Sequence, residues 1–188
     1  LKGTYKYGPA PVHFCTDHKV LGCDFYLMNY IKGIVIRREY PRTLNLSPDQ
    51  TRKQLLNFFD ALGDLHSVNL EEVGLENFGK PQGYVLRQVE GWSNRWMDAV
   101  TPDTVNCDEI IKWLQDHMPK ESGKASVIHN DYKLDNVLFD IDDPLRLIGV
   151  LDWEMSTVGD PLMDLGCTLG YWVQLDDPEF FRNARTMP

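Results

Sequence analysis

The stretch His129-Asn130-Asp131-Tyr132-Lys133-Leu134-Asp135-Asn136 decides how this chain is read. Sixteen residues after Asn136 comes Asp152, inside Val150-Leu151-Asp152-Trp153-Glu154. The pattern is H-x-D-x-x-x-x-N, then an apolar run that ends in Asp. Val127-Ile128 leads into His129 and Val137-Leu138-Phe139 follows Asn136, so the polar residues lie between apolar runs, where a rigid scaffold presents them. Phosphoryl transfer from ATP needs such a set: a carboxylate to take the acceptor's hydroxyl proton, and an amide and a second carboxylate to hold Mg²⁺. The four-residue gap lets one loop offer Asp131 to the acceptor and Asn136 to the metal. A lone H-x-D carries little information; the octet followed by strand, turn, strand and Asp is specific. The bland alternative is a solvated acidic loop between strands.

In that chemistry Asp131 is the base, and Asn136 and Asp152 are the Mg²⁺ ligands, because hard oxygen donors suit that ion while phosphates and water complete its shell. Lys133 either neutralises charge on the transferred phosphoryl group or is a solvated lysine. His129, counted with the catalytic set, is expected to orient the loop. Glu154 either touches a second metal or stands behind the first. Asp160 and Asp164 either cap the following helix or hold the catalytic loop.

His129 to Asn136 resembles the catalytic loop of the aminoglycoside phosphotransferase and choline kinase group, the small-molecule branch of the protein-kinase-like fold. Leu151-Asp152-Trp153-Glu154, Gly159-Asp160-Pro161 and Asp164-Leu165-Gly166 resemble that group's metal-binding segment and the helix after it. Gly83-Tyr84-Val85-Leu86-Arg87-Gln88-Val89-Glu90-Gly91-Trp92 resembles the kinase-like domain attached to acyl-CoA dehydrogenases in family members ten and eleven. The resemblance implies an α+β, protein-kinase-like fold. Residues 1–31 would be a remnant of the N-terminal lobe with its hinge strand, and residues 32–188 the mostly helical C-terminal lobe that carries the catalytic and acceptor residues. It also implies ATP with Mg²⁺, a hydroxyacyl acceptor, and a covalently linked acyl-CoA dehydrogenase region. The implied compartment is the mitochondrion or peroxisome. The small lobe's glycine-rich turn, strand lysine and helix glutamate are not found, and the chain stops soon after Trp172. The expectation is a largely missing N-terminal lobe, a C-terminal lobe cut short, and little activity from this chain alone.

Composition narrows the function classes. A net charge of −9 argues against nucleic acid, whose binding depends on Lys and Arg neutralising phosphates. No apolar run approaches the roughly 18–20 residues of a membrane span, and no signal peptide is visible. Cys15, Cys23, Cys107 and Cys167 lack C-x-x-C spacing and read as reduced thiols of an intracellular protein. Cys107 and His117 are too few for a zinc site. With 188 residues, 43% of them hydrophobic, the chain can bury one sizeable core.

Along the chain, Pro9 to Pro11 reads as a loop and Phe25 to Met28 as a strand running into Asn29-Tyr30-Ile31-Lys32-Gly33. In the resembled fold this is the hinge. The Asn29 carbonyl and Ile31 amide would meet adenine, with Met28 beside the ring; the alternative is a buried strand ending at a glycine turn. Ser47-Pro48-Asp49-Gln50 is a helix start, followed by Leu55, Phe59, Leu62 and Leu65 at helical spacing, with His66 as a packed or capping residue. Residues 106–119 read as a helix with Ile110, Leu114 and Met118 on one stripe. Leu75 to Thr104 reads as irregular. Its Arg87, Trp92, Arg95 and Trp96 either line an acceptor pocket or fill space between lobes. Val137–Phe139 and Leu147–Leu151 form a hairpin, and Asp160-Pro161 opens a helix with Leu162, Leu165, Leu169 and Trp172 at helical spacing.

The reading that results is an ATP-dependent phosphotransferase acting on a hydroxyl of a small molecule. A non-catalytic binding or interaction module is the alternative. A protein kinase would need an activation segment after Asp152, yet Gly159-Asp160-Pro161 arrives seven residues later. One His with scattered carboxylates makes no two-metal phosphoesterase cage.

Overall fold

The computed structural model describes residue 1 and residues 3–188. Near the start, β1 (Pro11–Cys15) and β2 (Phe25–Met28) pair antiparallel around the single-turn helix α1 (His18–Leu21). Pro11, expected in a loop, opens β1; the first residue of a strand is a place where a missing N–H is tolerated. The strand Phe25–Met28 is where it was expected, but its side chains are mostly exposed.

Helix α2 (Pro48–His66) starts with the expected cap. The Ser47 hydroxyl accepts the Gln50 N–H at 3.3 Å, and the Gln50 side chain accepts the Ser47 N–H at 2.9 Å. Its buried face is Gln54, Phe58, Ala61, Leu62 and Leu65, while Leu55 and Phe59 pack at the edge of the core. Between Leu75 and Thr104 the expectation of irregular chain is corrected: α3 spans Tyr84–Ala99. Its first turn has no side-chain cap of its own, since Gly83 stands at the N-cap. The Glu121 carboxylate accepts the N–H groups of Gly83 (3.1 Å) and Val85 (3.3 Å) instead, satisfying donors that a helix start leaves open. Helix α4 (Asp108–Asp116) is shorter than expected and carries only Ile110 and Leu114 of the stripe, Met118 lying beyond its end; none of its residues is buried, and Ile110 is 60% exposed. Helical spacing gives a face, and here that face has no cover.

Two further antiparallel pairs complete the strand set of the described residues. β3 (Ser126–Ile128) pairs with β6 (Thr157–Gly159), and β4 (Val137–Phe139) pairs with β5 (Leu147–Val150) as the expected hairpin. Helix α5 (Pro161–Gly170) is capped by Asp160, and α6 (Glu179–Ala184) follows. Helix α2 packs across β3 and β5. The Phe58 and Tyr132 rings meet at 4.4 Å in the middle, and Leu65, Phe139 and Val150 are fully buried around them. The mixed helix-and-strand class expected from the sequence is therefore observed. No helix among the described residues is long and apolar enough to cross a membrane.

Candidate active site

Within the octet, burial alternates. Tyr132, Leu134 and Asn136 are buried, whereas Asp131, Lys133 and Asp135 are half-exposed. That is the period of extended chain laid over a core. The Tyr132 hydroxyl donates to the Phe58 carbonyl at 2.7 Å, which pins the loop to α2. The loop then closes in a 3₁₀ turn, Leu134–Asn136, and enters β4.

Asp131 is held from several sides. Its Oδ2 receives the Lys133 ammonium at 3.0 Å and the Asn136 amide at 2.9 Å, and its Oδ1 receives the Tyr171 hydroxyl at 2.5 Å. Burial alone would raise the Asp131 pKa, but the hydrogen bonds from Tyr171, Lys133 and Asn136 outweigh it and hold the carboxyl below its ordinary value. Lys133 is no solvated lysine. Burial would lower its pKa, yet Asp131, Asp135 and Asp152 raise it above the ordinary value, so it remains a cation.

Asn136 and Asp152 are brought together by the hairpin. The Leu151 N–H donates to the Asn136 carbonyl at 2.8 Å, extending the β4–β5 ladder by one step and setting Asp152 just beyond it. The Asn136 amide nitrogen donates to both the carbonyl and the carboxylate of Asp131. Among the described residues, nothing donates to Asn136 Oδ1 or to the Asp152 carboxylate. One amide oxygen and one carboxylate are thus free as hard donors. No cluster of three or more His, Cys, Asp or Glu side chains that could hold a metal occurs among the described residues. Protein groups alone would leave an ion at this pair largely to other ligands.

Asp152 (φ 69°) and Asn130 (φ 64°) are the two non-glycine residues with positive φ among those described. This left-handed backbone is costly for most side chains and least so for Asn and Asp. The surrounding bonds hold it. The Asn130 side chain donates to the Met155 carbonyl at 2.9 Å and accepts the Tyr84 hydroxyl at 3.1 Å, joining the loop to α3 and to the turn after Asp152. His129 is fully buried. Its Nε2 donates to the Leu151 carbonyl at 2.8 Å, and its Nδ1 accepts the Asp131 N–H at 3.3 Å. Burial keeps its pKa below the ordinary histidine value, so the ring is a neutral orienting group.

Sequence reasoning left Asp164 between two roles, and the structure gives it one. Its carboxylate, fully buried, accepts the His129 N–H (2.8 Å), the Asn130 N–H (2.7 Å) and the His66 ring N–H (2.9 Å). It holds the 129–136 loop, and His66 is its partner. Asp160 caps α5 by accepting the Leu162 N–H, and also accepts the Ser122 N–H, each at 2.8 Å. Tyr171 was not foreseen at all. A signal was present: Asp160, Asp164, Thr168 and Tyr171 recur at four, four and three residues, a polar stripe on α5. Asp164 and Thr168 are buried; of the expected apolar stripe Leu165 and Trp172 pack against the core while Leu162 and Leu169 are exposed, and it is the polar stripe that faces the loop.

Met28 lines a cavity of about 650 Å³ together with Tyr5, Tyr26, Phe78, Trp153 and Glu154. Met28, but neither Asn29 nor Ile31, thus shares a cavity with the turn that follows Asp152. The Asn29 N–H donates to the Ala10 carbonyl, while the Asn29 carbonyl and the Ile31 N–H have no backbone partner among the described residues. Arg87 turns back onto the Gln82 and Lys80 carbonyls. The Arg95 guanidinium lies 4.6 Å from the Trp92 ring centre, on the exposed side of α3. None of these three lines the cavity beside Trp153.

A family model described as the phosphotransferase enzyme family matches residues 6–186. The chain belongs to this family. Its relatives include acyl-CoA dehydrogenase family member 11 of Homo sapiens, 35% identical over 84% of this chain and 20% of the relative. Member 10 of Mus musculus is 32% identical over 90% of this chain and 16% of the relative. The resemblance read from Gly83 to Trp92 is therefore borne out. This chain spans about a fifth of the length of such relatives. Among solved structures, a candidate aminoglycoside phosphotransferase from Ralstonia eutropha superposes with a TM-score of 0.82. It is 32% identical and covers 97% of this chain and 54% of that one. An aminoglycoside phosphotransferase in ternary complex with streptomycin and ATP shares the fold, with a TM-score of 0.57 at 24% identity over 94% of this chain and 58% of that one.

Proposed function

We propose that this chain carries the catalytic loop of an ATP-dependent phosphotransferase that acts on a hydroxyl of a small molecule. One observation carries the reading. An ionised Asp131 is bonded directly to Asn136, and the Leu151–Asn136 pairing sets Asp152 at the same end of the β4–β5 hairpin. Asp131 takes the acceptor's proton as its oxygen bonds to the γ-phosphorus. Lys133 offers positive charge to the transferred group, and the backbone bonds from Asp164 and His129 keep the loop in one geometry. Asn136 Oδ1 and Asp152 would hold Mg²⁺, which when bound neutralises phosphate charge. Met28, the Asn29 carbonyl and the Ile31 N–H form the adenine side of the site in this reading, and residues 1–31 act as the hinge segment to the lobe formed by 32–188.

A hydroxyacyl-CoA is the favoured acceptor, with a linked acyl-CoA dehydrogenase region in the longer protein, as in the relatives' names. Aminoglycosides are polycations. The segment from Leu75 to Thr104 sets Glu76, Glu90, Asp98 and Asp103 against Lys80, Arg87 and Arg95, too balanced for a polycation site. Arg87, Trp92 and Arg95 remain the proposed acceptor contacts. The test is transfer of label from γ-labelled ATP to hydroxyacyl-CoAs and to aminoglycosides in parallel. Label on aminoglycosides alone reverses the acceptor choice; label on neither class counts against the enzyme. A second reading, a non-catalytic binding module, is favoured by one observation: both Asp131 oxygens are already bonded to the protein's own side chains.

A further inference from the structure

Of the two Asp131 oxygens, Oδ2 is shared by Lys133 and Asn136, which belong to the loop itself. Oδ1 is the oxygen left for an acceptor. Among the described residues its one donor is Tyr171, from the end of α5, 40 residues away in sequence. A phenol and an alcohol present the same group to a carboxylate, an O–H donor. We propose that the Tyr171 hydroxyl is a placeholder for the acceptor's hydroxyl, covering the Asp131 oxygen that receives the acceptor's proton and keeping water from it until an acceptor displaces it. This inference rests on the phosphotransferase reading.

The tyrosine is set in place by packing, not left to chance. Its N–H donates to the Thr168 carbonyl at 3.3 Å, closing α5. The next residue, Trp172, stacks on Phe59 at 6.1 Å and meets Phe58 edge-on at 6.4 Å. The Lys133 ammonium sits 5.1 Å from the Tyr171 ring centre, so the cation that neutralises Asp131 also braces the ring. Burial, followed by the hydrogen bond to Asp131, holds the phenol far above its ordinary pKa, so it stays a donor at neutral pH. The need for such a cover follows from chemistry. Water is the commonest competing acceptor. On an uncovered base its oxygen bonds to the γ-phosphorus, the bond from that phosphorus to the ADP oxygen breaks, and the water proton passes to Asp131, giving ADP and phosphate with no product formed.

The experiment is acceptor-free ATP hydrolysis, read as ADP release, by the longer protein that carries this region, as the wild type, Tyr171→Phe, Asp131→Asn and the double variant. Tyr171→Phe keeps the ring and its packing but uncovers Oδ1. Hydrolysis is expected to rise about 10-fold, the scale of one hydrogen bond to a charged group. The double variant is expected to lose the gain. If wild-type turnover depends on Asp131 but Tyr171→Phe is no faster, or if the gain survives Asp131→Asn, the placeholder role is overturned and the phosphotransferase reading stands. If neither the wild type nor Tyr171→Phe shows Asp131-dependent turnover, both are overturned.

Discussion

His129 Nε2 stands 2.8 Å from the carbonyl oxygen of Leu151, so the first residue of the catalytic loop is bonded to the residue just before Asp152. This bond spans the two segments whose spacing first marked the site. It also carries a pH dependence. Burial, partly opposed by the Leu151 carbonyl and Asp164, keeps the ring's pKa below 6.5 in the folded protein. As pH falls through the ordinary value, the unfolded chain takes up a proton that the folded ring resists. The stability contribution is complete above the unfolded pKa and declines as pH falls toward the folded one. His129→Gln should therefore flatten the loss of stability as pH falls below the ordinary histidine value, measured by urea unfolding. An unchanged slope would show that another group sets it.

Removing the Asp164 carboxylate should be the most damaging single change near the site. Asp164→Ala leaves the His129 and Asn130 N–H groups and the His66 ring without their acceptor in a fully buried place. The expected loss is about 3 kcal/mol or more, since each buried group left unpaired costs about 1–3 kcal/mol. Chemical denaturation measures it, and a loss under about 1 kcal/mol would mean that water replaces the carboxylate.

In the full-length protein, Asp131→Ala and Asp152→Ala should separate in kinetics. The first removes the proposed base and should lower turnover by about 10²- to 10⁴-fold with nucleotide affinity nearly intact. The second removes a proposed metal ligand and should chiefly weaken Mg²⁺–nucleotide binding. Titration of nucleotide against each variant, beside single-turnover rates, distinguishes them; full activity of Asp131→Ala with every acceptor would remove Asp131 from its role.

A control lies far from the chemistry. Ser47→Ala breaks the reciprocal cap at the start of α2 and should cost about 1 kcal/mol. Turnover measured well below the melting temperature should not change. A large fall in turnover would mean that α2 transmits its end geometry to Tyr132 through the Phe58 carbonyl.

The elements legible in the sequence are those whose determinants are local. The α2 cap needs only Ser47 and Gln50, three residues apart, and the β4–β5 hairpin needs only two short apolar runs and a polar turn. The octet was legible for the same reason, as spacing within one loop between two apolar runs. Helix α3 was hidden because its start is completed by Glu121, 38 residues beyond Gly83, and no cap stands beside it in sequence. The α4 stripe was legible as a stripe, but whether anything covers it is not written in its period.

By itself, then, the sequence determined the family to which the chain belongs and marked Asp131, Asn136 and Asp152 as its candidate site, because both are encoded in short-range pattern. Only the tertiary structure decided how those residues are held. Asp164 and Tyr171 reach the loop from α5, 34 and 40 residues away; Asp164 binds the backbone of His129 and Asn130, and Tyr171 covers Oδ1 of Asp131. A side chain's partner across such a distance is chosen by packing. Here the apolar residues of α5 at 162 and 169 stay exposed, and its polar stripe turns inward because the buried N–H groups of His129 and Asn130 require an acceptor there.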